Sequence, residues 1–558
     1  AESSKAKKGT AEVDTAFLKE IESWRDALAR SLALRNPELS QRDLNFAVQR
    51  TIDRIIFLRI CEDRGIEHYG KLMALQNGDR MYERLCELFY RADERYNSGL
   101  FHFQKEKDRS ESPDTLTPNL DIDDGALRDI IKNLYYPDSP YEFSVLSADI
   151  LGQVYEQFLG KVIRLTEGHR AVVEEKPEVR KAGGVYYTPP YIVDYIVKNT
   201  VGKLVRAENF QPLRKTTPKE ISKIRILDPA CGSGSFLLGA YQYLLDWHRD
   251  WYVANEPEKW ATGRSPTLYQ VADSNPPQSP LIKGDSGGCQ NISVQSKTIE
   301  PAEKSPPGRG LRGGFQNPNS QIRNWRLTTA ERRRILLNNI YGVDIDPQAV
   351  EVTKLSLLLK VLEGESEQTI VKQLKMFHER ALPDLGNNIK CGNSLIGTDF
   401  YNTPLTPPVS EYGTSLFRGE KMDSPLARGA GGVSDEERRK VNPFDWEKEF
   451  PEIMKPAPVG REQGTGGFDA VIGNPPYGAE LPESAADYLK SNFQTFVWRG
   501  ESYLVFVEKA LRLIKRNGLF GYIIPDTYLN LGFTQSLRTF LLQNSKLREI
   551  VSLPSNVF

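Results

Sequence analysis

The stretch Ile224-Arg-Ile-Leu-Asp-Pro-Ala-Cys-Gly-Ser-Gly-Ser235 constrains the fold more than any other in the chain. An apolar strand ends in an acid, a turn follows on Gly232 and Gly234, and a helix starts at Phe236. That succession belongs to an α/β sheet of the doubly wound kind, with a ligand at the strand's carboxyl end. The glycines let a ligand approach the backbone closely, and the helix start is expected to offer free N–H groups. The pattern is neither G-x-G-x-x-G nor a phosphate loop, because no Lys-Ser/Thr pair follows the glycines. Asp228 would repel a phosphate but bind an amino group. This favours a nucleoside carrying an amino acid, such as S-adenosylmethionine, over a dinucleotide.

Three further stretches have the same form. Ile340-Tyr-Gly-Val-Asp-Ile-Asp-Pro347 is a strand ending in acids, followed by a helix from Gln348 to Leu362. An acid at the end of a second strand usually accepts ribose hydroxyls, with Asp344 placed for that role ahead of Asp346. Ile389-Lys-Cys-Gly-Asn-Ser-Leu-Ile-Gly397 ends a third strand and sets Asn393 toward the ligand. Ala470 to Gly473 is a short apolar strand that delivers Asn474-Pro-Pro-Tyr477 into a rigid turn. Two prolines fix φ, remove two donors and hold the preceding residues extended. A carboxamide, a free proline carbonyl and an aromatic ring at a strand end suit the grip of a flat, amino-bearing ring. A plain X-Pro-Pro loop with Tyr477 packed locally is the alternative. Beyond it the pattern predicts a helix at Tyr503–Ile514, a strand at Gly518–Ile524, a helix at Thr534–Gln543 and a strand at Leu547–Leu553.

The rest of the 558 residues sets the frame. Residues 1–13 are small and charged, a frayed and disordered leader by composition, and residues 14–165 carry helical periodicity. Phe17, Ile21, Trp24 and Leu28 form one apolar stripe, and Ser40 with Asp43 resembles a capping box ahead of a helix that ends near Gly65. Arg50, Arg54 and Arg64 belong either to a solvated face or to phosphate contact. Residues 166–183 form a polar linker. Its Glu174-Glu175-Lys176 triplet lacks the upstream acid of a nuclease metal site, so no metal is expected. Thr188-Pro189-Pro190 suits a helix start, with Thr188 near the cap. Two low-complexity inserts are expected at about 254–330 and 400–466, with the similar stretches Ser279–Gly288, Ser305–Gly314 and Ser424–Gly432 inside them. A net charge of −1 gives no global basic field for nucleic acid. Five scattered cysteines without a C-x-x-C pair argue against a zinc ribbon or disulfide scaffold and suit the cytoplasm. No apolar run approaches the ~20 residues that span a bilayer, so no membrane is expected.

Thr188-Pro-Pro190, Asp228-Pro-Ala-Cys-Gly-Ser-Gly234, Asp344-Ile-Asp346, Gly392-Asn-Ser-Leu395 and Asn474-Pro-Pro-Tyr477 stand in a fixed order. That order resembles the gamma class of N6-adenine DNA methyltransferases. With the helical stretches Leu44–Ile66 and Leu151–Gly160, it is similar to the methylase and connector parts of type IIG restriction–modification enzymes. The resemblance implies a Rossmann-like class I methyltransferase sheet over 184–558 behind a helical connector, with S-adenosylmethionine as cofactor and double-stranded DNA as substrate. It implies that Thr188 and Asp228 hold the cofactor's methionine part over the Ala230–Gly234 backbone, including Gly232, and that Asp344 takes the ribose. Asn393 falls where family members often carry Asp against the cofactor adenine. Asn474 and the Pro475 carbonyl would accept the hydrogens of the target N6, with Tyr477 and Phe558 stacking on the flipped base.

Type IIG enzymes also carry a nuclease domain and a target-recognition domain, expected here to be separate or missing. The final antiparallel strand of the sheet is expected to be absent too, leaving a gap between the strands at 518–524 and 547–553. The alternatives are a methyltransferase for another planar amine or amide, such as ribosomal guanine or protein glutamine, and a non-catalytic DNA-binding subunit that retains the fold.

Overall fold

Apolar stripes on successive helices close the first part of the chain. In a computed structural model, residues 3–96, 99–106, 112–139, 141–144, 146, 148–176, 188–206, 216–263, 265–270, 325–366, 382–401, 441–455, 466–477, 483–497 and 501–554 are described. Helix α1 (Ser3–Arg35) buries Phe17, Ile21, Trp24 and Leu28, the stripe its spacing predicts. It starts at Ser3, inside the stretch expected as a disordered leader, whose Ala, Lys and Glu residues are strong helix formers. Helix α2 (Gln41–Asp63) begins at Ser40, whose Oγ accepts from the Asp43 N–H at 3.1 Å, and gives way to Gly65 at φ +66°. Helices α3 (Met81–Tyr96), α4 (Asp124–Lys132) and α5 (Ala148–Leu159) complete the group.

The three arginines meet neither expectation. Arg54 is buried and donates to the Leu100 carbonyl, to Thr117 Oγ1 and to the Asp114 carboxylate at 2.7–2.8 Å. Arg50 pairs with Glu351 at 2.5 Å, and Arg64 donates to the carbonyls of Leu146 and Leu359. A buried charge needs such partners, so these side chains tie segments together inside the protein.

The helical part ends in a hairpin that extends into the stretch expected as a linker. Strands β1 (Lys161–Leu165) and β2 (Ala171–Glu175) pair antiparallel. The Asn45 amide brackets Ile163, accepting from its N–H at 3.0 Å and donating to its carbonyl at 2.7 Å, as a neighbouring strand would. Glu174 therefore lies on a strand and pairs with Arg164. Among the described residues no group of His, Cys, Asp and Glu is placed to hold a metal. Residues 177–187, including Gly184–Tyr187, lie outside the described residues.

Helix α6 (Pro190–Asn199) follows; the single helix expected over 191–204 breaks at Thr200, and Val201–Val205 forms a separate turn. Then come β3 (Ile226–Asp228) and α7 (Ser235–Ala254). Residues 246–328 make a compact unit of their own. In it β4 (Leu268–Gln270) pairs antiparallel with β5 (Trp325–Leu327), and Trp260 packs on Tyr252 with ring centroids 4.9 Å apart. The insert expected over 254–330 thus has ordered ends, while residues 271–324, with two of the similar stretches, lie outside the described residues.

The chain continues through α8 (Thr329–Asn339), β6 (Ile340–Asp344), α9 (Pro347–Val361) and β7 (Ile389–Cys391). After them come β8 (Phe468–Gly473), α10 (Ser502–Leu513), β9 (Ile514–Tyr522) and α11 (Gln535–Asn544). Five strands form one parallel sheet in the order β7-β6-β3-β8-β9, the α/β arrangement expected. Leu227, Val343, Phe468 and Val471 pack beneath it against Phe444, Trp446, Phe450 and Ile453. Those last four fall within the insert expected over 400–466, so its end is core; residues 402–440, with Ser424–Gly432, lie outside the described residues. Helices α2 and α5 pack on α9, which seats the helical part against the sheet part.

The strand expected at Leu547–Leu553 does not form. Leu547, Ile550 and Val551 are 47–53% exposed, and among the described strands β9 pairs with β8 alone. An extended apolar segment has little stability without a ladder partner. No helix among the described residues is long and apolar enough to cross a membrane.

Candidate functional site

From β3 the chain moves outward through β6 to β7, then crosses back to β8 and β9. The direction reverses between β3 and β8, and a crevice opens at such a point beyond the carboxyl ends of the strands. Asp228 ends β3 and is buried; its Oδ1 accepts from the Ala230 N–H at 3.1 Å. Gly473 ends β8 opposite it. A Cβ at Gly473 would stand 2.7 Å from Asp228 Oδ1, so only glycine lets the two strand ends approach this closely.

Asn474 follows directly on β8 at this switch point. Its Nδ2 donates to Thr188 Oγ1 at 3.1 Å, which sets the direction of the amide. Asn474 Oδ1 is then buried and accepts no hydrogen bond. Thr188 is itself buried and does not cap a helix: Pro189 holds the N-cap position of α6, with no side-chain cap. Pro475 is buried, and the Pro476 carbonyl accepts from Ser502 Oγ at 2.5 Å, which ties the turn to α10. Tyr477 is half-buried against Tyr503, Leu504 and Val507 of α10 and Leu537 of α11. Phe558 lies outside the described residues.

The glycine turn differs from expectation in one respect. Its amides are not free. Ala230 N–H goes to Asp228, Cys231 N–H to the Val343 carbonyl at 3.0 Å and Gly232 N–H to Asp344 Oδ2 at 2.8 Å. Ser233 N–H goes to Glu156 Oε2 at 3.1 Å, and Gly234 N–H to the Cys231 carbonyl at 2.8 Å. A phosphate cradle needs such groups unspent. Here they are turned onto carboxylates and carbonyls, so the turn presents acceptors and negative charge instead.

Asp344 stands at the end of β6, half-buried, with Oδ1 accepting from the Asp346 N–H at 2.9 Å. Asp346 caps α9 through the Gln348 N–H at 2.9 Å and pairs with Lys176. Asn393 Oδ1 accepts from the Leu395 N–H at 3.0 Å, and its main chain runs beside Asn442 and Pro443. Two contacts were not foreseen. Ser394 Oγ donates to the Pro229 carbonyl at 2.6 Å, joining the end of β7 to the end of β3. Glu156 reaches the turn from α5, where the sequence shows only a buried helix.

Burial first, then the neighbouring Asp344 and Glu156 charges, pushes the Asp228 carboxyl up to about 8. Burial also pushes Asp344 up to about 6, with Asp346 and Glu156 adding repulsion, and raises Glu156. A site in which several acids disfavour one another's charge gains most from a cationic ligand.

Parts of the chain match known families and proteins. Residues 338–558 match the family described as Eco57I restriction-modification methylase, and residues 146–252 match the family described as N-6 DNA Methylase. The Type II restriction enzyme and methyltransferase RM.Eco57I of Escherichia coli is 29% identical over 98% of this chain and 42% of its own length. The adenine-specific methyltransferase BrxX of Escherichia coli O9:H4 (strain HS) is 21% identical over 79% of this chain and 34% of its own length. The Type II methyltransferase M.BstVI of Geobacillus stearothermophilus is 31% identical over 15% of this chain and 16% of its own. The chain thus spans less than half the length of RM.Eco57I and BrxX. Over residues 146–252 and 338–558 the chain thus matches two families of DNA methylases, and it carries the parallel sheet and the ordered strand-end motifs in those segments.

Proposed function

We propose that the chain transfers a methyl group from S-adenosylmethionine to N6 of an adenine turned out of double-stranded DNA, as part of a restriction–modification system. The observation that carries this reading is the Asn474 amide: anchored through Nδ2, it leaves Oδ1 buried without a donor. An orphaned buried acceptor costs about 1–3 kcal/mol, which an amino hydrogen on a ligand would recover. A planar amine is the ligand that fits, and the amino-bearing adenine edge supplies two such hydrogens.

The bound cofactor supplies an electrophilic methyl group on a sulfonium. The chain's own residues do the rest. Asn474 Oδ1 and the Pro475 carbonyl accept the two N6 hydrogens. That draws the nitrogen lone pair out of conjugation and stabilises the positive charge that develops on nitrogen as it takes the methyl group, and one N6 proton then leaves to solvent. No covalent nucleophile is required, and positioning supplies much of the rate. Tyr477 stacks on the flipped base. Asp228 takes the ammonium of the methionine part, and the Thr188 hydroxyl, with its oxygen engaged by Asn474, directs its hydrogen toward the same part. Asp344 accepts the ribose hydroxyls. Asn393 faces the cofactor adenine, where an amide oxygen accepts from the exocyclic amine. Asp346 is engaged by its cap and by Lys176, and serves the shape of the turn.

Transfer of labelled methyl from S-adenosylmethionine to duplex DNA by the full-length gene product tests the reading. Asn474→Ala should lower transfer about 100-fold or more, the scale for loss of one well-placed polar group, while cofactor binding changes by less than about twofold. Undiminished transfer in the variant would refute the assignment.

A further inference from the structure

One of the carboxylates at the glycine turn comes from outside the sheet. Glu156 stands on α5, 77 residues before the Ser233 N–H that its Oε2 accepts at 3.1 Å. Its other oxygen, Oε1, lies 3.3 Å from the point a Gly232 Cβ would occupy, so the carboxylate covers the face of the turn that the glycine leaves open. The helix that carries it is tied to its neighbours. Tyr155, the residue before it, donates its hydroxyl to Asp53 of α2 at 2.6 Å, and Arg50 of α2 pairs with Glu351 of α9 at 2.5 Å. Helix α9 begins just beyond the end of β6 that carries Asp344, and both α5 and α2 pack on it. Glu156 therefore has a fixed position relative to Asp228 and Asp344, and Lys176 and Asp346 are the other charged groups near it.

Resting on the reading of this crevice as the S-adenosylmethionine site, we propose that Glu156 makes the helical part a component of that site. Its carboxylate positions Ser233 and sets negative charge against the sulfonium end, so the cationic cofactor is held in preference to its neutral thioether product, S-adenosylhomocysteine. The two ligands share adenosine, ammonium and carboxylate and differ in the methyl group and the sulfonium charge. The ionised Glu156 carboxylate separates them through Coulomb attraction, and a bound cation favours that ionised form against the burial that raises it. The product loses that attraction at the moment of transfer, which favours its release.

Glu156 acts here as a positioning residue, and charge can be separated from shape. Glu156→Gln keeps an acceptor for the Ser233 N–H and removes the charge. Calorimetric titration of the full chain with S-adenosylmethionine and with S-adenosylhomocysteine should show the cofactor weakened about tenfold, or about 1.4 kcal/mol, and the product changed by less than about twofold. Glu156→Asp keeps the charge and should keep the cofactor-to-product ratio even where both ligands bind more weakly. A Gln variant that loses both ligands equally, or neither, overturns the proposal, as does an Asp variant that loses the ratio. A wild-type chain that binds neither ligand overturns the cofactor reading itself and this proposal with it. A wild-type chain that binds both, with the ratio kept in the Gln variant, sinks this proposal alone.

Discussion

Asp228 gives the most direct physical test of the crevice. Its carboxyl is raised from an ordinary 3.8 to about 8, by burial first and by Asp344 and Glu156 after that. In the folded protein without ligand the group stays protonated through neutral pH, while in the unfolded chain it ionises above about 4. The folded state therefore holds the extra proton, and the stability from this group is full below 3.8 and is lost as pH rises toward 8. The slope is at most about 1.4 kcal/mol per pH unit. Asp228→Asn keeps the shape and the acceptor for the Ala230 N–H but does not titrate. Between about pH 5 and pH 7 the variant should gain about 2–3 kcal/mol of stability relative to wild type, from urea unfolding at each pH. S-adenosylmethionine should reverse the order: its positive charge favours the ionised Asp228, so the cofactor should stabilise wild type and bind the variant about tenfold more weakly. A stability difference between variant and wild type that stays flat from pH 5 to 8 would refute the account of this carboxyl.

Two further outcomes concern groups around it. Thr188→Val removes the acceptor that orients the Asn474 amide; it should cost about 1 kcal/mol of stability and lower kcat for DNA methylation about fivefold, with KM for DNA within about twofold, and an unchanged kcat would count against the amide's orientation as the role of Thr188. Gly234 sits at φ +88° with a would-be Cβ 2.9 Å from Thr353 Cγ2, so Gly234→Ala should cost roughly 2–4 kcal/mol in denaturant unfolding, and a loss below about 0.5 kcal/mol would show that the turn yields easily.

The parts of the site that were legible in the sequence are those that local order determines. An apolar run followed by Asp228, Asp344, Asn393 or Asn474 places each side chain at a strand end, and the parallel sheet then brings the ends together. The helix cap at Ser40 and the stop at Gly65 are local in the same way. What remained hidden depends on pairing across distance. Nothing between residues 148 and 159 beyond apolar spacing marks Glu156, because its partner is a backbone N–H far along the chain. The amides of the glycine turn look free in sequence, and only tertiary contact shows them spent on Asp344 and Glu156. Strand β1 has one fully buried residue, Ile163, too little alternation to betray a strand. Phe444, Trp446 and Phe450 follow a polar, glycine-rich stretch that masks them in the sequence, although three aromatics at that spacing are a core signal. Leu547–Leu553 shows the converse: strand composition is present, and no ladder partner appears among the described strands.

The short ladder of β4 and β5 has a consequence for how this chain can change over generations. Gln270 faces Trp325 at its open end, so residues 271–324 leave and return at neighbouring points. For a flexible connection between two such neighbouring points, doubling the length adds only about 0.6 kcal/mol of closure entropy. Duplication, drift or loss of repeats such as Ser279–Gly288 can then proceed between those points without shifting the register of β3 against β6 or β8. A ladder closed in this way is a point at which chain length can change while the residues on either side keep their pairing.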